Sequence, residues 1–225
     1  MGAFDVREER ETLAARSYLY AMFQGLFGGD PTSDLLSALD ADLVREACAL
    51  TGIGEPRAFN AAVAAVRGGG AGALDSLQSE YTRLFVGPGK LPVMPWESVH
   101  TSGDPSLFQR STLAVRAAYR AEGFVPEGYP RVADDHIALE AGFMSLLSDR
   151  AAECCSAGDD VGCQDALAAS RMFLVEHLGA WIPSFVEDVV AQATCPFYAE
   201  AALLLGEMMR ADGVWLRDRT TLHEK

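Results

Sequence analysis

His136 and Glu140 stand four residues apart, so a helix carries both on one face and offers the first two ligands of a metal site. No third ligand is in local reach, and a capped or solvated helix start is the plainer reading. Asp135 beside His136 would make an acid/base pair. The helix N-terminus disfavours the charged imidazole and the adjacent carboxylate favours it, and the sequence leaves both outcomes open. Cys154, Cys155 and Cys163 gather in one short stretch. No CxxC and no His accompany them, so ordinary thiols are a plainer reading than a metal centre. Gly87-Pro88-Gly89-Lys90 invites a phosphate-loop reading, but Leu91 replaces the Ser or Thr and no Gly stands upstream at the motif's spacing. GxSxG, HExxH and GxGxxG patterns are absent. These residue types point away from catalysis, and neither metal nor cofactor is expected. Trp96, between Pro95 and Glu97, fits recognition better: an aromatic in a proline-rich loop anchors a peptide or plugs the core.

The elements that must position these residues are helical. Residues 8–27 carry Leu13, Ser17, Tyr20, Phe23 and Leu26 near a period of 3.6, and Gly28-Gly29-Asp30-Pro31 stops them. A second helix starts at Thr32 or Ser33, with Leu35, Leu36, Leu39, Leu43 and Val44 on its inner face. Weaker periodicity covers 57–67 and stronger covers 73–86, where Leu77, Tyr81, Leu84 and Phe85 share a face. From Gly87 to Pro105, prolines and glycines forbid regular structure, yet Leu91, Val93, Met94, Trp96 and Val99 are apolar. Such a loop is buried against the body or lines a binding surface. Helices follow over 106–122, after an N-cap at Asp134 or Asp135, over 162–192 with Pro183 as a kink or break, and from Pro196. Strand alternation is nowhere convincing. The sequence therefore predicts an all-α, single-domain bundle over 1–225, with eight or nine helices and one long Pro/Gly-rich apolar loop.

Composition narrows the function. Hydrophobic residues make up 49% of the chain and charged residues 22%, which suits a globular fold and excludes bulk disorder. The net charge is −14, so nucleic acid and an anionic membrane surface are poor partners and a cationic peptide is a good one. Residues 1–11 have no apolar core or cleavage pattern of a signal peptide, and no run is long enough to span a bilayer. Five cysteines without a regular framework fit a reducing compartment. Cytoplasm is the expectation.

Tyr81-Thr82-Arg83-Leu84-Phe85-Val86-Gly87-Pro88, then Leu91-Pro92, then Pro95-Trp96-Glu97-Ser98-Val99, resembles the signature of the TorD/DmsD chaperones. Val132-Ala133-Asp134-Asp135-His136, Glu176-His177-Leu178 with Trp181, and Pro196-Phe197-Tyr198 are also similar to that family. The resemblance implies an all-helical binding protein without catalysis. It would bind the twin-arginine leader of a molybdopterin oxidoreductase and hold the apo catalytic subunit in the cytoplasm before export. It also implies a peptide site at Tyr81, Leu84, Phe85, Pro95, Trp96, Asp135 and His136. Beside these, Trp96, Leu91 and Val99 supply apolar surface, and Glu97, Asp134, Asp135 and Glu80 are expected to face the leader's arginines. His100 belongs to the same expected site. Gly89 and His100 stand where similar proteins have Trp, and Ala133 where the family has Pro, so leader specificity is expected to differ. The alternative is an assembly factor for a reductase subunit that is never exported. Whether the chain acts as monomer or dimer is left open.

Overall fold

The computed structural model describes residues 6–102, 104, 109–126 and 133–220. The targeting reading of the first residues, Val132 of the Asp-His signature and the start expected for the helix at 106 lie outside these. Helix α1 (Val6–Gly28) buries the expected stripe, with Leu13, Tyr20 and Phe23 fully enclosed. The next helix divides into α2 (Ser33–Ala38) and α3 (Ala41–Leu50). Thr32 caps the first through Leu35 N, and Asp40 caps the second through Asp42 N and Leu43 N. That break rotates Leu43 outward, so it is 45% exposed rather than on the inner face. α4 (Arg57–Gly68) and α5 (Gly70–Tyr81) follow, and α5 runs into a π-helical turn at Thr82–Val86.

The proline-rich stretch holds one element that its composition hides. Glu97–Ser102 is a short helix, α6, beginning two residues after Pro95. α7 (Arg110–Ala121) leads to α8 (Ile137–Ala157), whose N-cap is His136 rather than either aspartate. α9 (Asp160–Phe173) passes through a second π-helical turn, Leu174–Leu178, into α10 (Gly179–Gln192), so Pro183 sits inside a helix instead of ending one. α11 (Pro196–Thr220) starts on its proline, where a missing N–H costs nothing. The fold is all-α, with eleven α-helices among the described residues.

Helix α8 is the central strut. It packs along α1 on one side and α9 on the other, and α10 packs against α11. One hydrophobic core runs from Leu13 to Leu216 and includes Phe27, Phe85, Trp181, Phe185 and Tyr198. No helix among the described residues is long and apolar enough to cross a membrane.

Candidate functional site

The proline-rich loop and the Asp-His segment are stitched together by backbone. Trp96 and His136 form an antiparallel bridge: Glu97 N donates to Asp135 O at 2.9 Å and Ile137 N donates to Pro95 O at 3.0 Å. Asp135 adds a side-chain bond, its Oδ2 accepting from Ser98 N at 2.9 Å at the start of α6. The rings of Trp96 and His136 meet edge to face, 5.4 Å apart. Both are half-buried, as are Met94, Val99 and His100. Two motifs far apart in the chain therefore share one accessible aromatic surface.

Buried polar groups hold this surface from behind. Glu97, 4% exposed, places Oε2 2.9 Å from His177 Nδ1 in the second π-helical turn. Glu140, fully buried, accepts from Trp181 Nε1 at 3.0 Å. Burial first, and the neighbouring Glu97 second, hold the Glu140 carboxyl well above the usual carboxylate range. Asp134 accepts from Arg116 at 2.6 and 2.8 Å, and its backbone carbonyl accepts from Tyr119 Oη at 3.0 Å. Burial among these acids pushes the Tyr119 hydroxyl far up. His136 lies the other way. Burial pulls its imidazole down to about 4 against the opposing pull of Asp135, and Nδ1 accepts from Ala138 N at 3.2 Å. It is a neutral helix cap, and that decides the acid/base question left open by sequence. Glu140 turns from His136 to Trp181, so the i, i+4 pair does not converge on a metal, and no group of three potential ligands converges among the described residues.

The expected site residues fall into two sets. Trp96, Val99, His100 and His136 reach the surface. Tyr81, Leu84, Phe85, Pro95, Glu97 and Asp135 are buried beneath it. Tyr81 and Phe85 pack within the core against Tyr198, the first tilted at 6.0 Å and the second edge to face at 5.4 Å. Leu84 O accepts from Val93 N at 3.3 Å, which ties the first π-helical turn to the loop. The four carboxylates expected to face the leader's arginines each make a bond within the fold. Glu97 is joined to His177, Asp134 to Arg116 and Asp135 to Ser98 N; Glu80 is joined to Arg83 and to Thr194. Sequence reasoning named the Glu176-His177-Leu178 run and Trp181 only as resemblance. Their partners lie 80 and 41 residues away, a separation that no local pattern encodes. The His100 ring lies tilted against Trp181, with centroids 5.3 Å apart, and its Nε2 lies 2.7 Å from Met94 O.

Comparison with known proteins agrees with these motifs. The chain is 34% identical over 136 residues to the Tat proofreading chaperone DmsD of Salmonella typhi, covering 60% of this chain and 58% of that one. It is 31% identical over 143 residues to the chaperone protein TorD of Aeromonas salmonicida, covering 63% and 61%. The matched stretch thus spans less than two thirds of either relative. A solved structure from Archaeoglobus fulgidus, proposed as a redox enzyme maturation protein, covers 90% of this chain and 93% of its own at 21% identity and a TM-score of 0.45. The profile of the nitrate reductase delta subunit family matches residues 54–187, which include α4 through the bridge to most of α10. With more than half of its length matched in this way, the chain belongs to the nitrate reductase delta subunit family.

Proposed function

We propose that this protein is a chaperone of redox-enzyme maturation that binds the twin-arginine leader of a molybdopterin oxidoreductase in the cytoplasm and holds the apo subunit before export. The Trp96–His136 bridge carries the reading, because it turns two signature segments into one half-exposed surface. On it, Trp96, Met94, Val99, His100 and His136 take the apolar part of the leader. Tyr81, Leu84, Phe85, Pro95, Glu97 and Asp135 act from beneath, fixing the position of the loop. The net charge of −14 favours encounter with a cationic leader.

Titration calorimetry with the leader peptide of a molybdopterin oxidoreductase from the same organism, beside a scrambled version, tests the reading. Saturable binding lost on scrambling is expected. Trp96→Ala should weaken it about 30-fold, corresponding to about 2 kcal/mol for a truncated aromatic anchor, with the melting temperature little changed. Equal affinity for leader and scramble would sink the proposal. The description of the matched family favours a second reading, assembly of a reductase subunit without export. In that case the full-length apo subunit is captured as well without its leader as with it.

A further inference from the structure

The surface around the Trp96–His136 bridge carries two imidazoles whose hydrogens are placed by backbone groups. Nε2 of His100 lies 2.7 Å from Met94 O. A backbone carbonyl only accepts, so Nε2 donates, and in the neutral ring Nδ1 is left as an acceptor. Nδ1 of His136 lies 3.2 Å from Ala138 N. A backbone N–H only donates, so this Nδ1 accepts and Nε2 carries the hydrogen. The two rings thus have opposite tautomers. His100 offers an acceptor and His136 a donor, and neither atom has a hydrogen-bond partner among the described residues.

Both rings are half-buried, and their surroundings are apolar. Met94, Trp96 and Val99 share the face with them. Trp181 and Phe185 pack against the His100 ring, and the Trp96 ring meets His136 edge to face. Water serves both nitrogens in the free protein, since neither is an enclosed atom. A ligand that covers the face removes that water. It must then supply one donor and one acceptor or leave both nitrogens unpaired. The apolar stretch of a leader has no such groups in its side chains, but its backbone has both. In a helix those backbone groups are spent on one another, whereas an extended chain presents them outward.

We propose that the apolar stretch of the client leader lies on this face in extended form, donating one backbone N–H to His100 Nδ1 and accepting from His136 Nε2 at one backbone carbonyl. The assignment rests on the leader-binding reading above and adds the conformation of the bound peptide. It makes His100 and His136 readers of main chain, while Met94, Trp96 and Val99 select apolar side chains. It also gives the departure at position 100 a consequence. An indole nitrogen only donates, so a tryptophan there would offer the leader no acceptor.

The test uses the full-length protein and a leader peptide labelled with ¹³C and ¹⁵N through its apolar stretch. In the complex its Cα and Cβ shifts should be those of an extended chain, and helical shifts overturn the proposal. Histidine ¹⁵N spectra of the free protein should show the hydrogen on Nε2 of both neutral rings, and the leader should shift His100 Nδ1. A hydrogen on Nδ1 of neutral His100, or an Nδ1 that the leader leaves unmoved, overturns it as well. Calorimetry with leaders in which successive amides of the apolar stretch are replaced by esters gives a third readout. An ester has no N–H. At one position it should therefore weaken binding to the wild type about fivefold more than binding to His100→Phe, which keeps a ring and loses the acceptor. Esters that cost the same in both proteins mean that no backbone N–H reaches His100. A leader that binds as a helix leaves the chaperone reading standing and removes this one; a wild type that binds no leader removes both.

Discussion

The Glu140 carboxyl is held well above the usual carboxylate range by its burial first and by the neighbouring carboxyl of Glu97 second. In the unfolded chain a glutamate loses its proton at about pH 4.3. Between that value and the raised native one, the native state binds more protons than the unfolded state, so stability falls as the pH rises through this window. His136 acts oppositely. Its native value is lowered to about 4 from 6.5, so its contribution is present above 6.5 and is lost as the pH falls toward 4. Glu140→Gln separates the two: it keeps an acceptor for Trp181 Nε1, replaces the proton with an amide N–H and leaves His136 untouched. The variant should melt several degrees above the wild type at pH 8, each kcal/mol being worth about 2–4 °C at this chain length, and the gap should close near pH 5. Differential scanning calorimetry at the two pH values checks this, and a gap that does not change with pH would mean an ionised Glu140. At this scale the sequence was half legible. The i, i+4 spacing put His136 and Glu140 on one helix face, but it carried no trace of Trp181, the partner that turns Glu140 away.

The two π-helical turns set what the helices present to the site. The first, Thr82–Val86, aims Leu84 O at the proline-rich loop, and the second, Leu174–Leu178, delivers His177 to Glu97. Both lie in stretches whose apolar residues read as ordinary helix, since Leu84 and Phe85, like Leu174 and Leu178, keep a helical spacing. The wider winding comes from tertiary packing and leaves no mark on the pattern. Proline and glycine content did reveal the irregular stretch at 87–96, whereas α6 is too short to show a period. Gly179 tests the second turn. A Cβ there would lie 2.7 Å from Leu174 O, the carbonyl that accepts from Gly179 N in the wide turn. At an exposed position in a regular helix, Gly→Ala stabilises by about 0.5–1 kcal/mol. Here Gly179→Ala should destabilise by about 1–3 kcal/mol, because backbone cannot yield as a side chain can. Urea denaturation reads the sign, and a stabilised variant would mean that the chain winds there as a regular α-helix.

Over the whole molecule, the ends of the described chain are closed by a charge cluster that no periodicity foretells. Arg16 on α1 and Asp212 on α11 pair across 196 residues, each 1% exposed at the side chain. Tyr20 Oη donates to the same carboxylate at 2.6 Å, and the Arg16 guanidinium lies 4.8 Å from the Trp215 ring centroid. Sequence reasoning placed Ser17 and Tyr20 on the buried stripe of α1 and passed over Arg16, because a charged residue within an apolar face reads as an interruption until its counterion is known. The pair is also costly to assemble, since both charges leave water, so its presence does not by itself signal stability. What it fixes is consequence. Arg16→Met leaves the Asp212 carboxyl without its partner in a dry site and should lower stability by about 3–5 kcal/mol, seen as a large drop in the guanidinium midpoint. Removing the whole cluster, with Arg16→Met, Tyr20→Phe and Asp212→Leu together, leaves no stranded charge or hydroxyl and should recover most of that loss. If the triple variant were as unstable as the single one, the cluster would be contributing net binding energy between α1 and α11; recovery means that it selects which faces of the two helices meet, while the surrounding apolar core supplies the energy that holds them.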